Sequence, residues 1–394
     1  MAMELLYFNN AKMNTWIIYF FPFAFDIIIG ISLFASRHAL AEQGMGTRTV
    51  GSIVAIYGIG YIAANLFMGK IIRPAYARGQ MLVGVAAVII ILIVLANTKQ
   101  VRLIQIFFCG IPLAGSLFFN AFQSFMLGVD NTIAKPLTRT IAHYTFAWSL
   151  GFAIGPFLSS FLKSAISWPA SYYAAAITAA SIGLVALLFK PSIRQIRESV
   201  KPSPPVMQKK ASLSVSGWIG VLIGWTGWNM LVTYWPVHAQ LLGFKIGIKG
   251  LVEFSFAITQ ALTGLFLARM TPAYYMRKNF AIITIFGIGG ALLFSAGIGF
   301  FVVGAVLFGI YSGNFLCNMM FHASVDPEKA VKRIAINELC IGISFLCAPV
   351  LATLIKMATG NFAASYVCLA VFLLLGAAAQ FIAARRTLAA LPLS

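Results

Sequence analysis

Runs of about 20 apolar residues recur along the whole chain, and they limit its fold more than any other feature does. A helix of that length crosses the roughly 30 Å hydrocarbon core of a bilayer. The runs are continuously apolar rather than alternating, which favours helices over the strands of a membrane barrel. We therefore predict an all-α membrane protein with twelve transmembrane helices. The predicted spans are residues 14–36, 49–68, 79–97, 103–125, 141–163, 169–189, 217–239, 248–269, 279–297, 299–321, 334–356 and 363–384.

Composition and charge agree with this prediction. Hydrophobic residues make up 60% of the chain and charged residues only 9%, whereas a soluble domain carries about 25% charged residues. The formal charge of +19 is distributed unevenly, because most of the 28 lysines and arginines fall on one side of the predicted spans. By the positive-inside rule, both termini and the long central loop are cytoplasmic in a multi-pass protein of the cell (inner) membrane. The basic excess therefore indicates the lipid bilayer as partner, with no nucleic acid.

Enzymatic and metal-binding motifs are not found in the sequence. It contains no nucleotide-binding loop, no HExxH helix and no GxSxG elbow. Its five cysteines fall within predicted helices and its four histidines are scattered, without the spacing of metal ligands. We expect neither an enzyme nor a bound cofactor or metal.

A polar, basic and proline-bearing stretch divides the chain. It reads "KPSIRQIRESVKPSPPVMQKKASLSVS" and occupies residues 190–216. Such a composition is typical of a linker. We predict an N-terminal six-helix bundle at 1–189, a cytoplasmic linker at 190–216 and a C-terminal six-helix bundle at 217–394.

An internal repeat supports two pseudo-symmetric bundles. The segment "VDNTIAKPLTRTIAHYTFAWSLGFAIGP" precedes and includes helix five, and "VDPEKAVKRIAINELCIGISFLCAP" does the same for helix eleven. Both place an arginine, Arg139 or Arg333, at the helix entrance and a polar side chain, His143 or Asn337, four residues later. Both end on a small residue followed by proline. Parallel six-helix repeats suit alternating access, with a substrate site between the halves.

With these features the chain resembles the major facilitator superfamily (MFS) over nearly its full length. The signature loop of that family is Gly-x-x-x-Asp-Arg-x-Gly-Arg-Arg. Here "GKIIRPAYARG" keeps Gly69 and Arg78 but has Arg73 in the place of the aspartate, and "GLFLARM" in the second half keeps Gly264 and Arg269. In the family the aspartate helps to lock the outward-facing state. The resemblance therefore implies that gating here uses other cytoplasmic pairs.

Two further motifs bring the chain closest to the twelve-helix, proton-coupled exporter branch. "RLIQIFFCG" resembles the Arg-x-x-Gln-Gly motif of helix four through Arg102. In proton-coupled relatives the matching arginine is linked to proton transfer. The alternative is an arginine at a helix end whose charged group reaches the membrane surface. "SLGFAIGP" matches the Gly-x-x-x-Gly-Pro core found chiefly in exporters, at Gly151, Gly155 and Pro156. Small residues one turn apart also let two helices pack closely, so a packing seam is the structural interpretation.

Asp26 lies in the otherwise apolar run "FFPFAFDIIIGISLF" of helix one. An unpaired carboxylate in hydrocarbon is unfavourable by roughly 2.5 to 3.5 kcal/mol, so chains seldom keep one without a function. A desolvated carboxylate can gain and lose a proton within the physiological range and so exchange a proton for a substrate. The run also resembles the helix-one aspartate motif of some proton-coupled drug exporters. A carboxylate that is held by a hydrogen bond and never titrates is the alternative.

Two other acids and Arg102 complete the proton-coupling candidates. Glu253 lies inside helix eight, and Glu338 begins helix eleven, where a gate or a structural ion pair with Arg333 is the alternative. No lysine or arginine falls in the middle of a predicted span. A cavity with carboxylates and no central cation favours a neutral or cationic substrate.

Polar and aromatic residues inside the spans are the candidates for the cavity lining. Such a pocket suits a moderately hydrophobic organic molecule. The candidates are Asn120 and Gln123 on helix four, His143, Tyr144 and Trp148 on helix five, Trp225, Trp228, Asn229 and Tyr234 on helix seven, Gln260 on helix eight, and Tyr311, Asn314 and Asn318 on helix ten.

These observations predict a secondary transporter that works by alternating access. The preferred function is proton-coupled export of a small amphipathic organic compound or metabolite by a monomer, with a small-molecule substrate and protons as partners. The alternatives are a proton-coupled importer of a nutrient or siderophore-like metabolite and a lipid transporter on the same fold. A membrane sensor or scaffold that does not transport is an alternative from a different class.

Overall fold

The computed structural model describes residues 11–71, 76–127, 137–188, 213–267, 270, 277–325 and 327–389. Within these ranges the protein is all-α, which confirms the predicted fold class. The helices are α1 (Ala11–Glu42), α2 (Thr47–Ile71), α3 (Ala77–Asn97), α4 (Val101–Leu127), α5 (Leu137–Ala165), α6 (Trp168–Leu188), α7 (Ser214–Leu241), α8 (Ile246–Leu267), α9 (Arg277–Ala296), α10 (Phe301–Ser324), α11 (Pro327–Thr359) and α12 (Phe362–Ala389).

In the described part of the chain, eleven helices are long and apolar enough to cross a membrane. The remaining helix, α9, contributes the shorter apolar stretch Ile282–Ala296. A short 3₁₀ turn at Ile298–Phe300 leads from α9 into α10. The recurrent apolar runs in the sequence therefore correspond to helices, as their length and continuity predict.

The first helix is longer than its apolar run. The sequence predicts that this span ends at residue 36, but α1 continues to Glu42 as part of an apolar span from Tyr19. Arg37 therefore lies inside the helix, and its side chain is only 2% exposed. The predicted span 14–36 has no lysine or arginine in its middle, but it ends too early, because Leu40 and Ala41 continue the buried face of α1 beyond the arginine.

Helices α1–α6 (the first half) and α7–α12 (the second half) each contain a large apolar core. The core of the first half is built mainly from α1 to α4 and α6. The core of the second half contains the aromatic side chains of Trp228, Trp235, Phe256 and Phe308. Outside these cores, many large apolar side chains are exposed on the outer surface, as expected for helices that face lipid.

Two helix pairs join the halves along much of their length. Helix α5 packs on α8, and α2 packs on α11. In the second pair, a Cβ atom added at Gly58 would lie 2.6 Å from the backbone nitrogen of Leu346, and one at Gly51 would lie 3.0 Å from Cβ of Pro349. Glycine is therefore required for the close approach of these backbones. At the end of the bundle where α1 and α7 terminate, α7 also contacts α1 and α2.

Candidate substrate and proton site between the halves

Asp26 lies on the face of α1 that packs against α5. A Cβ atom added at Gly151 of α5 would lie 3.2 Å from Cβ of Asp26. The aspartate side chain is partly accessible, although the neighbouring Phe25 is buried. Among the described residues, its carboxylate has no hydrogen-bond or ion-pair partner. An unpaired carboxylate at an accessible internal position can bind a proton or a cationic group.

A second carboxylate, Glu338, lies near the same two tyrosines as Asp26 but belongs to the second half. Asp26 and Glu338 are both close enough to the hydroxyl groups of Tyr57 and Tyr144 to act on them electrostatically. Tyr57 lies on α2, Tyr144 on α5 and Glu338 on α11. Two acids and two phenols from both halves therefore lie near one another.

Glu338 is connected directly to the first half. The hydroxyl group of Tyr61 on α2 donates a hydrogen bond to Oε2 of Glu338. This contact lies in the α2 and α11 pair, on the same side as the close packing at Gly58. Because the bond joins two helices of different halves, it breaks when those helices separate.

Aromatic rings form one wall of the site. The rings of Tyr57 and Phe345 are 5.0 Å apart, and those of Tyr61 and Phe345 are 6.2 Å apart. Trp225 on α7 lies 6.1 Å from Phe345. This wall offers flat apolar faces to an organic substrate, and aromatic faces also attract cations.

Two hydrogen-bond donors on α7 lie near this wall without partners. The indole nitrogen of Trp225 and the side-chain amide nitrogen of Asn229 are buried and make no hydrogen bond in the described part of the protein. Thr233, one turn beyond Asn229, faces α2, since its Cγ2 is 2.9 Å from a Cβ atom added at Gly51. The two donors therefore lie on the side of α7 that faces the first half. A buried donor without a partner is unfavourable, so a ligand acceptor would satisfy it.

Gln260 links the halves through a neutral polar network. Its Nε2 donates to Oγ of Ser149 on α5 at 2.8 Å, and its Oε1 accepts from Oγ of Ser312 on α10 at 2.6 Å. All three side chains are buried. Gln260, a predicted cavity residue, thus makes one hydrogen bond within its own half and one to the first half.

A buried cluster of charged residues lies at one end of the interface between the halves. Nη2 of Arg37 donates to Oε2 of Glu253 at 2.8 Å, and Nε2 of His38 lies 3.2 Å from Oε1 of the same carboxylate. Nη1 of Arg37 donates to the carbonyl of Val232 on α7 at 2.8 Å, and Nε donates to the carbonyl of Leu33 at 2.9 Å. We call Arg37, His38 and Glu253 the charge cluster. It joins α1 to α7 and α8.

Several predicted cavity residues lie within the second half. Trp228 stacks on Phe256 in its core, and Tyr234 donates a hydrogen bond to the carbonyl of Ala352 at 2.9 Å. Tyr311 packs against Phe308 and Phe315. Asn314 and Asn318 bond to each other, and Asn314 also accepts a bond from Asn279 at 3.4 Å. These contacts give the five residues a structural role.

The remaining candidates on α4 and α5 are spread over several positions. Asn120 donates back to Ser116 on its own helix, His143 lies 5.9 Å from the ring of Tyr19, and Trp148 packs against the core of the second half. Arg102 is exposed near the start of α4. The side chain of Gln123 lies outside the described residues.

The family motifs mostly occupy packing positions. Gly151 and Gly155 face α1, where a Cβ atom at Gly155 would lie 2.6 Å from the nitrogen of Ile31; Pro156 belongs to the same seam. Arg78 donates from Nε to the carbonyl of Ala186 at 2.9 Å and so caps the end of α6. Gly264 lies between Cys317 and Thr145.

The other motif residues lie on α2 and α11 or outside the described residues. Gly69 lies in the last turn of α2, and Arg333 lies on α11. Arg73 and Arg269 lie outside the described residues, as does the side chain of Arg139.

Five residues of this region did not stand out in the sequence. They are Arg37, His38, Tyr57, Tyr61 and Phe345. Tyr57 and Tyr61 are four residues apart in "IYGIGYIAAN", so they share one helical face, which is the one signal that could have identified them. Arg37 was missed because the predicted span ended one residue before it.

The fold and the site together define a class of protein. In the described part of the chain, helices α1–α6 meet helices α7–α12 along α5 and α8 and along α2 and α11, with acids, phenols and donors without partners near these contacts and an apolar outer surface that suits a bilayer. Such an arrangement is typical of membrane transporters that bind a small molecule between repeats.

The comparison with protein families identifies the class by name. The model of the Major Facilitator Superfamily matches residues 15–272 of the chain. The chain therefore belongs to this family and is a membrane transporter. A search of curated proteins finds no match.

Solved structures of other transporters share the fold. The structure of the nucleoside transporter NupG has a TM-score of 0.68 and 14% identity, covering 96% of this chain and 98% of NupG. The structure of the human organic anion transporter MFSD10 (TETRAN) has a TM-score of 0.65 and 14% identity, covering 95% of this chain and 99% of MFSD10. At these identities the likeness concerns the fold alone.

Proposed function

We propose that this transporter couples the export of a small amphipathic organic compound to the entry of protons, with Asp26 as the exchange site. The observation that supports the proposal is the carboxylate of Asp26, which lies on the face of α1 toward α5 and has no hydrogen-bond or ion-pair partner among the described residues. A proton and a cationic or polar substrate would compete for this group. Antiport follows from such competition when each binds in turn.

The substrate class follows from the chemistry of the lining. Two carboxylates, Asp26 and Glu338, would repel a net anion in a site of low dielectric constant. The aromatic wall at Tyr57, Phe345 and Trp225 offers stacking surfaces. A neutral or cationic compound with an aromatic or apolar body therefore fits best. NupG is described as a nucleoside transporter and MFSD10 as an organic anion transporter, and these two cargoes differ from each other.

The arrangement in the membrane is part of the same proposal. The charge distribution supports cytoplasmic termini in the cell (inner) membrane and a cytoplasmic linker at 190–216 between two bundles. Function as a monomer is part of the proposal as the usual state of this family. The charge cluster would then lie at the extracellular end of the interface. Accessibility of single cysteines to a membrane-impermeant thiol reagent in intact cells tests this orientation.

Proton release on substrate addition tests the exchange. Purified protein in lightly buffered detergent solution is mixed with a panel of amphipathic amines and neutral aromatics in the presence of a pH dye. We expect release from the native protein and none from Asp26→Asn. Glu42→Gln is the matched control, because Glu42 is an acid at the end of the same helix whose hydrogen bond and ion pair, among the described residues, are made with Trp168 and Lys163 of the first half.

Binding must be measured in parallel by thermal shift, so that a lack of release is not confused with a lack of binding. Compounds that bind both proteins and release protons from neither would contradict proton exchange at Asp26. The direction of transport is then measured as flux into inverted and right-side-out vesicles. Uptake into inverted vesicles under a proton gradient supports export. Uptake only into right-side-out vesicles supports the importer.

A further inference from the structure

Helices α2 and α4 run side by side in the same direction from the end of the bundle where α1 and α7 terminate. Near that end, Nε2 of Gln105 on α4 donates to Oγ of Ser52 on α2 at 2.7 Å. Further along both helices, a Cβ atom added at Gly60 would collide with the carbonyl oxygen of Cys109. These two contacts fix which face of α2 meets which face of α4.

Two arginines lie at the outer edge of this contact. Arg48 precedes Ser52 by four residues, so it lies on the face of α2 that meets α4. Arg102 precedes Gln105 by three residues and lies on the face of α4 that meets α2. Both side chains are exposed, as is that of Lys99, which lies three residues before Arg102. Three cations thus share one small area of the surface.

In the described part of the chain, no acidic side chain pairs with these three cations. None of the three forms a hydrogen bond or an ion pair there through its side chain. The acid nearest to them in the sequence, Glu42, is bound to Lys163 and Trp168 instead. The first turns of α2 and α4 add the positive ends of two helix dipoles. An anion at this position would relieve the repulsion between the like charges.

The surface directly next to the arginines, toward the middle of the membrane span, is apolar. Leu103 and Ile106 follow Arg102 on α4 and are 37% and 64% exposed. Ile106 lies one turn after Arg102, so the two side chains are on the same face of the helix. On α2, Ile59 lies three turns after Arg48 on the same face and is 49% exposed. A ligand that fits this surface carries an anionic head and an apolar tail, as a membrane phospholipid does.

We propose that Arg48 and Arg102 bind the phosphate group of an anionic phospholipid whose acyl chains lie against Ile106. A guanidinium group donates two parallel N–H bonds to phosphate oxygens, so two neighbouring arginines hold such a group strongly and in one orientation. Lys99 adds a third positive charge at the same place. The site goes beyond the proposed function, because it involves neither the transported substrate nor Asp26.

Fluorescence quenching by lipids with brominated acyl chains tests this site. The five cysteines of the full chain are replaced, and a bimane fluorophore is attached to one introduced cysteine, Ile106→Cys or, as the control, Val303→Cys. Val303 lies near the start of α10 and is 49% exposed, in a stretch, residues 279–325, that contains no lysine, arginine, aspartate or glutamate. Each labelled protein is purified in detergent and titrated with brominated phosphatidylglycerol and, separately, with phosphatidylcholine that carries the same chains.

At position 106 we expect half-maximal quenching at a concentration of phosphatidylglycerol about tenfold lower than that of phosphatidylcholine, the difference expected from one hydrogen bond between charged groups. At position 303 the two lipids should quench equally. Arg102→Gln should remove most of the preference, and Arg48→Gln combined with Arg102→Gln should abolish it. Lys245→Gln is the matched control, because it makes the same change in charge at an exposed position at the same end of the bundle.

Three results would overturn the proposal. The first is equal quenching by the two lipids at position 106 of the protein that keeps both arginines. The second is an Arg102→Gln variant that keeps the full preference for phosphatidylglycerol. The third is loss of the quenching when inorganic phosphate is added at concentrations similar to those of the lipid, since this would assign the cations to a free phosphate ion.

Discussion

The guanidinium group of Arg37 on α1 donates a hydrogen bond of 2.8 Å to the carboxylate of Glu253 on α8, across the interface between the halves. Both side chains are 2% exposed. The pair is buried, so each charge depends on the other for its stability. Removing one partner from such a pair costs about 3–5 kcal/mol, whereas removing both is often close to neutral.

Arg37→Gln should therefore lower the thermal stability of the protein strongly, and Arg37→Gln combined with Glu253→Gln should restore most of the loss. The double-mutant cycle is completed with Glu253→Gln and measured by thermal unfolding followed through tryptophan fluorescence. A double variant that is less stable than Arg37→Gln would show that the two side chains act independently.

Tyr61→Phe should favour states in which α2 and α11 are separated. The change removes the hydrogen bond to Glu338 and leaves the ring in place. A bond to a charged group contributes about 1.5–3 kcal/mol, so the separated population should rise at least about tenfold. Spin labels at Leu66 and Ala335, on exposed positions of the two helices, report the distance.

Tyr57→Phe is the matched control for this measurement. Tyr57 lies one turn before Tyr61 on the same helix, and its hydroxyl group has no hydrogen-bond partner among the described residues. Equal distances in the two variants would indicate that the Tyr61 hydroxyl does not hold the helices together.

Gly151→Ala should destabilise the first half. The added Cβ atom would collide with the carbonyl oxygen of Phe23 and approach Cβ of Asp26, so α1 and α5 must move apart. Overpacking of this kind costs about 1–3 kcal/mol. Gly79→Ala, at a helical position with nothing within 4 Å, should leave the melting temperature unchanged or raise it slightly. Equal melting temperatures for the two variants would contradict the packing role of the seam.

Trp225→Phe should weaken substrate binding, whereas Tyr234→Phe should leave it unchanged. Trp225→Phe removes a buried N–H group without a partner, so the affinity for the exported compound should fall about tenfold. Tyr234→Phe removes a core hydrogen bond and should cost about 1 kcal/mol of stability with unchanged affinity. Calorimetry measures the affinity of each variant and thermal unfolding measures its stability. A loss of affinity in Tyr234→Phe but not in Trp225→Phe would contradict the assignment of Trp225 to the site and of Tyr234 to the core.

Much of the fold could be predicted because helix formation in a membrane depends on local sequence. Each apolar run must satisfy its own backbone hydrogen bonds in lipid, so its length and continuity predict a helix without knowledge of its neighbours. The same local argument failed at the end of α1. Arg37 interrupts the apolar run, but its charge is compensated by Glu253, which is distant in the sequence.

The sequence by itself determined the helical class, the family motifs and the unusual position of Asp26, since each depends on the identity or spacing of nearby residues. Only the tertiary structure decided which polar residues meet. It brought Tyr61 to Glu338, Gln260 to Ser149 and Arg37 to Glu253, and it placed Tyr234 in a core. These pairings depend on how twelve helices pack, and a helical face with polar residues can turn toward a partner in either half. Periodicity fixes which residues share a face, whereas packing fixes what that face meets.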